Sequence, residues 1–172
     1  MPSDVKIAQS RLGGFGTHLP LLAASVAHTT GAVLEVGCGA YSTPILHALC
    51  STMGRELVSL EGDPECYEIL KRFHRGSHKV IFVPDWSKVE IARPWDVALV
   101  DHAPGLDRIV KIQALKPHAR IIIAHDTEHR SYNYEPTFST FKYRATWRPY
   151  SPWTCAVSDV DDLEWLRDAA RD

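Results

Sequence analysis

Five short apolar runs alternate with segments of helical periodicity, and this alternation constrains the fold more than any other feature of the chain. The runs occupy residues 32–36, 56–60, 79–83, 97–100 and 120–124. Each run is nearly continuous in apolar character, which is typical of strands that are buried on both faces. Because short loops join these strands to the helical segments, we expect βαβ crossovers and a parallel sheet.

The C-terminal part of the chain follows a different pattern. Residues 141–147 alternate between hydrophobic and polar side chains, and a second strand-like run spans 154–158. A proline-rich turn separates the two runs, so they predict an antiparallel hairpin at one edge of the sheet. With the five parallel strands, the hairpin gives an α/β fold with a mostly parallel, seven-stranded sheet.

The length of 172 residues favours a single domain that spans residues 1–172. The formal net charge is −2, so the composition offers no electrostatic argument for a nucleic-acid or membrane partner. The cysteines are scattered without a CxxC pair, and the first residues lack the apolar region of a signal peptide. We therefore expect a cytoplasmic protein without a disulfide framework, and with no nucleic-acid or membrane partner.

A glycine-rich turn follows the first predicted strand. Gly37 and Gly39 lie between this strand and a helix that begins near Thr43. Glycines here let a ligand approach the backbone closely, and nucleotides commonly bind at the loop after the first parallel strand. Glu61 ends the next strand, where a carboxylate accepts hydrogen bonds from both ribose hydroxyls. A tight turn without a ligand is the alternative.

Two features argue against a dinucleotide or a triphosphate as the ligand. Ser42 replaces the third glycine of the GxGxxG fingerprint, and the chain lacks the Gly-Lys-Ser/Thr of a phosphate-binding loop. Glu35, shortly before the first glycine, would repel a pyrophosphate but suits an amine-bearing ligand. A nicotinamide-dependent enzyme is therefore the least favoured hypothesis.

These residues resemble the motifs of the class I S-adenosylmethionine-dependent methyltransferases. The similarity covers residues 35–39, Glu61, residues 83–86 and residues 95–101. It implies a doubly wound, Rossmann-like sheet that binds S-adenosyl-L-methionine, with Glu61 on the ribose, Asp85 on the adenine and Trp86 beside its ring. The cofactor-binding residues implied by the resemblance are Glu35, Gly37, Cys38, Gly39, Glu61, Asp85, Trp86 and Asp101. Tyr41 departs from the family pattern, in which many members have a third glycine.

Acidic and imidazole side chains follow the fourth and fifth predicted strands. Asp101 and His102 come after the fourth strand, and His125 and Asp126 come after the fifth. The carboxyl ends of neighbouring parallel strands converge on one crevice. Side chains of this kind, brought together there, can bind a divalent metal or transfer protons.

A closer resemblance, to metal-dependent catechol O-methyltransferases and to enzymes grouped with cephalosporin hydroxylases, places Asp101 and Asp126 at metal-ligand positions. His125 stands where those enzymes usually have an acid, and imidazole suits zinc, iron or nickel better than magnesium. The predicted metal ligands are thus Asp101, His125 and Asp126, which are also the predicted catalytic residues. Without a metal, Asp101 or a histidine would act as general base, and the candidate histidines are His18, His102, His125 and His129.

The sequence therefore predicts an S-adenosylmethionine-dependent methyltransferase that acts on a small molecule. Oxygen is the expected acceptor atom, on the resemblance at Asp101 alone. A non-catalytic module that binds the cofactor or serves as a partner subunit is the alternative. Arg108 is expected to be a solvated charge near the start of a helix.

Overall fold

The computed structural model describes residues 16–168. In this part of the chain the strands are β1 (Val33–Val36), β2 (Leu57–Glu61), β3 (His78–Phe82), β4 (Trp95–Val100), β5 (Ala119–His125), β6 (Tyr143–Trp147) and β7 (Thr154–Ser158). The helices are α1 (Leu19–His28), α2 (Ser42–Thr52), α3 (Pro64–Leu70), α4 (Arg108–Leu115), α5 (Glu135–Phe138) and α6 (Glu164–Asp168). None of these helices is long and apolar enough to cross a membrane.

The strands form one sheet in the order β3-β2-β1-β4-β5-β7-β6. β1 pairs in parallel with β2 and β4, β2 with β3, and β4 with β5. β7 runs antiparallel to β5 and β6, so the predicted mostly parallel sheet with a C-terminal hairpin is confirmed. The winding direction reverses between β1 and β4, which creates the crevice where α/β sheets bind ligands.

Helices cover both faces of the sheet, as the doubly wound prediction requires. On one face, Leu22 of α1 and Leu46 of α2 belong to the same cluster as Val97 of β4. On the other face, Ile112 of α4 and Phe138 of α5 pack in the second cluster. All five side chains are buried, and each such burial stabilises the fold by roughly 1.5–3 kcal/mol.

The orientation of α4 corrects the prediction for Arg108. This side chain is only 6% exposed, whereas the apolar side chains of Leu106 and Val110 are about 60% exposed. Arg108 shares the spacing i, i+4, i+7 with the buried Ile112 and Leu115, so the three lie on one helix face. The arginine therefore points toward the sheet and not, as predicted, into solvent.

The connection between β3 and β4 contains a single turn of 3₁₀ helix, Trp86–Lys88, and lacks an α-helix. A groove of about 580 Å³ is therefore open on the sheet face near β2 and β3. Its apolar wall includes Val58, Ile81 and Val89, and Asp85 lies among its lining residues.

Candidate functional site

The glycine loop packs tightly against the end of β4. Gly37 has a φ of +93°, and a Cβ atom added to it would lie 2.6 Å from the backbone nitrogen and Cα of His102. Both the backbone conformation and the available space therefore require glycine here. At the other end of the loop, the backbone N–H of Gly39 donates to Thr43 Oγ1 over 3.0 Å, which attaches the loop to α2.

Glu35 lies beneath this loop and is completely buried. Thr43 Oγ1 lies 3.0 Å from each of its carboxylate oxygens and donates a hydrogen bond to the carboxylate. Burial raises the pKa of Glu35 to about 7. The side chain thus supports the loop from below, through the same threonine that binds Gly39.

Glu61 joins the end of β2 to the glycine loop. Its Oε2 accepts the backbone N–H of Cys38 over 2.9 Å, and its Oε1 accepts the backbone N–H of Asp63 over 2.7 Å. Burial raises the pKa of this carboxyl above its usual value. An ionised carboxylate has about four acceptor positions, so each oxygen keeps roughly one for a ligand. The predicted ribose acceptor is therefore held in a defined position.

A cavity of about 300 Å³ opens between the glycine loop and the end of β4. It is lined by residues 38–42, by Asp101 and by His18, which directly precedes α1. Burial raises the pKa of the Cys38 thiol, so this side chain lines the cavity as a neutral group. The cavity lies at the crevice between β1 and β4, where the predicted cofactor loop and the first predicted catalytic residue meet.

Trp86 connects the ends of β2 and β4. A Cβ atom added to Gly62 would lie 2.9 Å from its Nε1, so the indole rests directly on this glycine. Nε1 also donates to the carbonyl of Ala103 over 3.0 Å, and the indole centroid lies 4.4 Å from that of the His102 ring. The indole therefore lies beside the residues that follow Glu61 and Asp101, and it is not among the residues that line the cavity.

Asp85, the predicted adenine ligand, faces a different surface. Its carboxylate accepts hydrogen bonds from the hydroxyl and the backbone N–H of Ser87, which lower its pKa, and it pairs with Lys88 over 3.1 Å. Asp85 lines the groove on the sheet face, not the cavity at the glycine loop.

Arg108 joins the carboxylates that follow β4 and β5. Its guanidinium lies 3.0 Å from Asp101 Oδ1 and 2.9 Å from Asp126 Oδ2. Its Nε also donates to the carbonyl of His102 over 2.8 Å. Two of the three predicted metal ligands are thus bound to one guanidinium, and Asp101 and Asp126 together do not form an oxygen site open to a cation.

His125 stands between Asp101 and the segment that precedes α1. Its Nδ1 lies 3.2 Å from Asp101 Oδ2, and its Nε2 lies 2.8 Å from Thr17 Oγ1. His18 contacts the His125 ring edge-on, with the ring centroids 4.8 Å apart. Burial, with a smaller contribution from His125, lowers the pKa of His18 to about 4, so this imidazole is neutral at physiological pH.

The two remaining candidate bases lie apart from the cavity. His102 is buried under the Trp86 indole, and burial lowers its pKa to about 4. His129 is exposed, stacks on Tyr132 and hydrogen-bonds to Ser131 over 2.7 Å. Neither lines the cavity between the glycine loop and Asp101.

Sequence reasoning missed Arg108 and Thr17 as members of the site. A signal for Arg108 was present, since it shares a helix face with Ile112 and Leu115. No comparable signal exists for Thr17, because its partner His125 lies 108 positions away along the chain. Contacts of this range depend on how α1 docks on the sheet.

Several solved structures with a similar fold are methyltransferases. The human methyltransferase 10 domain containing protein matches with a TM-score of 0.59 at 15% identity, covering 86% of this chain and 84% of that one. An O-methyltransferase from Bacillus cereus, solved in complex with SAH, matches with a TM-score of 0.59 at 14% identity, over 90% and 88% of the two chains.

A Pyrococcus horikoshii protein classed as an RNA methyltransferase matches with a TM-score of 0.55 at 16% identity, covering 84% of this chain and 83% of that one. No protein-family model and no curated protein matches the sequence. At these identities the likeness concerns the fold, and the chain has the fold of the S-adenosylmethionine-dependent methyltransferases.

Proposed function

We propose that this protein is an S-adenosylmethionine-dependent methyltransferase. The observation that carries the proposal is the link between the glycine loop and Glu61, in which the carboxylate accepts the N–H of Cys38, a residue that lines an open cavity. This arrangement lies at the switch point of the sheet, where ligands of α/β folds bind. A turn without a ligand would need neither the defined carboxylate nor the cavity beside it.

The residues fit this cofactor in three respects. The free acceptor positions of Glu61 suit the two ribose hydroxyls. Gly37 and Gly39 let the sugar and the amino-acid end approach the backbone, with Cys38 between them. Trp86 offers an aromatic face beside Gly62 for the adenine, whereas Asp85 lines the groove on the sheet face and is not part of the proposed contact.

The Asp101 end of the cavity is where the acceptor would bind. When bound, S-adenosylmethionine supplies a methyl group from its sulfonium to a nucleophile in line with it. The protein aligns the nucleophile, and the cluster of Asp101, His125 and His18 receives the proton that the acceptor loses. Arg108 and Asp126 act by fixing Asp101, so the predicted roles of Asp101 and His125 are direct and that of Asp126 is one of positioning.

A small molecule with a hydroxyl group is the acceptor that we propose. The cavity at Asp101 is small, and the formal net charge of −2 offers no attraction for a nucleic-acid backbone. RNA is the competing acceptor class, because fold neighbours include a protein classed as an RNA methyltransferase.

Calorimetric titration with S-adenosylhomocysteine tests the proposal. We expect micromolar binding to the wild-type chain and at least about 100-fold weaker binding to Glu61→Ala, because the ribose loses its charged acceptor. Asp101→Asn should bind the product normally but lose transfer to hydroxyl-bearing acceptors. Absence of binding to a folded wild-type chain would contradict the proposal, and binding without transfer to small molecules or RNA would favour the non-catalytic module.

A further inference from the structure

His18 is buried next to the site and lacks the partners that a buried imidazole normally has. It is 2% exposed, and neither ring nitrogen finds a hydrogen-bond partner among residues 16–168. Leaving a buried polar group without a partner destabilises the folded state. The ring contacts His125 by its edge and lines the cavity beside Asp101, so its nitrogens lie close to those two side chains.

The hydrogen bonds of Thr17 determine which nitrogen of His125 carries a proton. The Thr17 hydroxyl donates its single proton to the carbonyl of Pro152 over 2.6 Å. It therefore accepts from His125 Nε2 over 2.8 Å, and Nε2 carries the proton. In a neutral imidazole Nδ1 then presents its lone pair to Asp101 Oδ2, 3.2 Å away.

Two acceptors this close need a cation between them. A proton on Nδ1 would satisfy His125 and Asp101 but would leave His18 without a partner. A metal ion would satisfy all three, because one donor atom from each of His18, Asp101 and His125 lies within 4.8 Å of the others. The 3.2 Å separation of Nδ1 and Oδ2 is close to the roughly 3.4 Å expected between two ligands of a tetrahedral zinc ion.

We propose that His18, Asp101 and His125 bind a divalent transition metal of the zinc class. Two imidazoles and one carboxylate select such a metal over magnesium, which prefers oxygen ligands. The predicted ligand set is thus modified. His18 joins Asp101 and His125, whereas Asp126, whose Oδ1 lies 3.7 Å from His125 Nδ1, is not part of the group of donor atoms that all lie within 4.8 Å of one another.

The surroundings of the three ligands resemble the outer shell of metal sites. The proton on His125 Nε2 bonds to Thr17, which fixes the tautomer, and Arg108 holds the other oxygen of Asp101. His18 and Asp101 also line the cavity, so a hydroxyl group bound there would lie beside the ion. A metal in this position would lower the pKa of a hydroxyl group beside it, so the three side chains would promote loss of the proton as ligands and would not receive it themselves. This role rests on the function proposed above, whereas metal binding itself does not.

Titration of the tag-free, chelator-treated full chain with ZnCl₂ tests the site. We expect one equivalent to bind, and His18→Ala and Asp101→Asn each to weaken the affinity by at least about 100-fold, since loss of an outer-shell partner alone costs roughly 10- to 100-fold. Substitution by Co²⁺ should give visible absorption bands in the wild type that both variants lose. Thermal melting checks that each variant is folded, and His125→Ala provides a third variant.

The matched control is His47→Ala. His47 and His78 form a second close histidine pair, with their Nδ1 atoms 3.0 Å apart, and this variant breaks it. Zinc affinity should not change in this variant. Lack of zinc binding by the wild type, or equal binding by wild type and His18→Ala, would overturn the proposal, as would binding that depends on His47 alone. Zinc binding at the site without methyl transfer would count against the proposed function only.

Discussion

At the scale of single residues, Gly37 determines how closely the glycine loop approaches β4. Its positive φ and the 2.6 Å approach to the His102 backbone leave no room for a side chain. Gly54, after α2, also has a positive φ, of 65°, but a Cβ atom added there meets nothing within 4 Å. A comparison of substitutions at the two glycines therefore distinguishes the cost of backbone strain from the cost of a steric clash.

We expect Gly37→Ala to destabilise the chain by about 3 kcal/mol or more, because strain and a clash with backbone add together. Gly54→Ala should cost only about 1–2 kcal/mol, the strain alone. Urea denaturation of both variants measures the difference. Equal losses would mean that the loop moves away from β4 without cost.

At the scale of elements, His78 attaches the edge strand β3 to its neighbours. Its Nε2 bonds to Ser59 Oγ of β2 over 2.9 Å, and its Nδ1 bonds to Nδ1 of His47 of α2 over 3.0 Å. Burial, with contributions from His47 and His74, lowers the pKa of His78 to about 4. The neutral form is therefore the one that the fold accommodates.

This shift predicts a loss of stability in mild acid. The folded pKa of about 4 lies below the ordinary histidine pKa of 6.5, so the unfolded chain binds the proton more readily. The contribution of neutral His78 to the free energy of unfolding is complete above pH 6.5 and is lost as the pH falls toward 4. We expect His78→Gln to reduce the loss of unfolding free energy between about pH 7 and pH 5 by roughly 1–2 kcal/mol. If the free energy of unfolding of this variant depended on pH as in the wild type, His78 would not be the source of the acid sensitivity.

At the scale of the whole molecule, Arg108 connects segments that are distant in the chain. Its guanidinium joins the carboxylates after β4 and β5 while its own helix packs on the sheet. Asp101 in turn contacts His125, which is bound to Thr17 before α1. The network therefore links the segment before α1 to the central strands through polar and charged side chains.

Arg108→Met should destabilise the chain by about 2–3 kcal/mol, somewhat less than the roughly 3–5 kcal/mol for a fully buried pair, because both carboxylates are partly exposed. Arg93→Met breaks the exposed pair with Glu56 and should cost less than about 1 kcal/mol. Chemical denaturation compares the two variants. A similar loss in both would show that the buried pairs add little.

The sheet and much of the cofactor region follow from local patterns in the sequence. The predicted strand at 154–158 coincides with β7, and the one at 56–60 is displaced by one residue from β2 (Leu57–Glu61). The predicted helix start at Asp63 and Pro64 is also observed: the Asp63 side chain caps α3 by accepting the backbone N–H of Cys66. Apolar runs, caps and glycines act within a few residues, so a single sequence contains them.

The sequence by itself determined the alternation of strands and helices, the glycine loop and the acid after β2, because local backbone preferences set these features. Only the tertiary structure decided that Arg108 is buried between two carboxylates and that His18 meets His125. The helix-face spacing of Arg108 indicated burial, but the partners of Arg108 and His18 depend on how α4 and α1 pack against the sheet, which no local pattern encodes. The strands and helices could therefore be predicted from the sequence, whereas the full set of side chains that meet at the site could not.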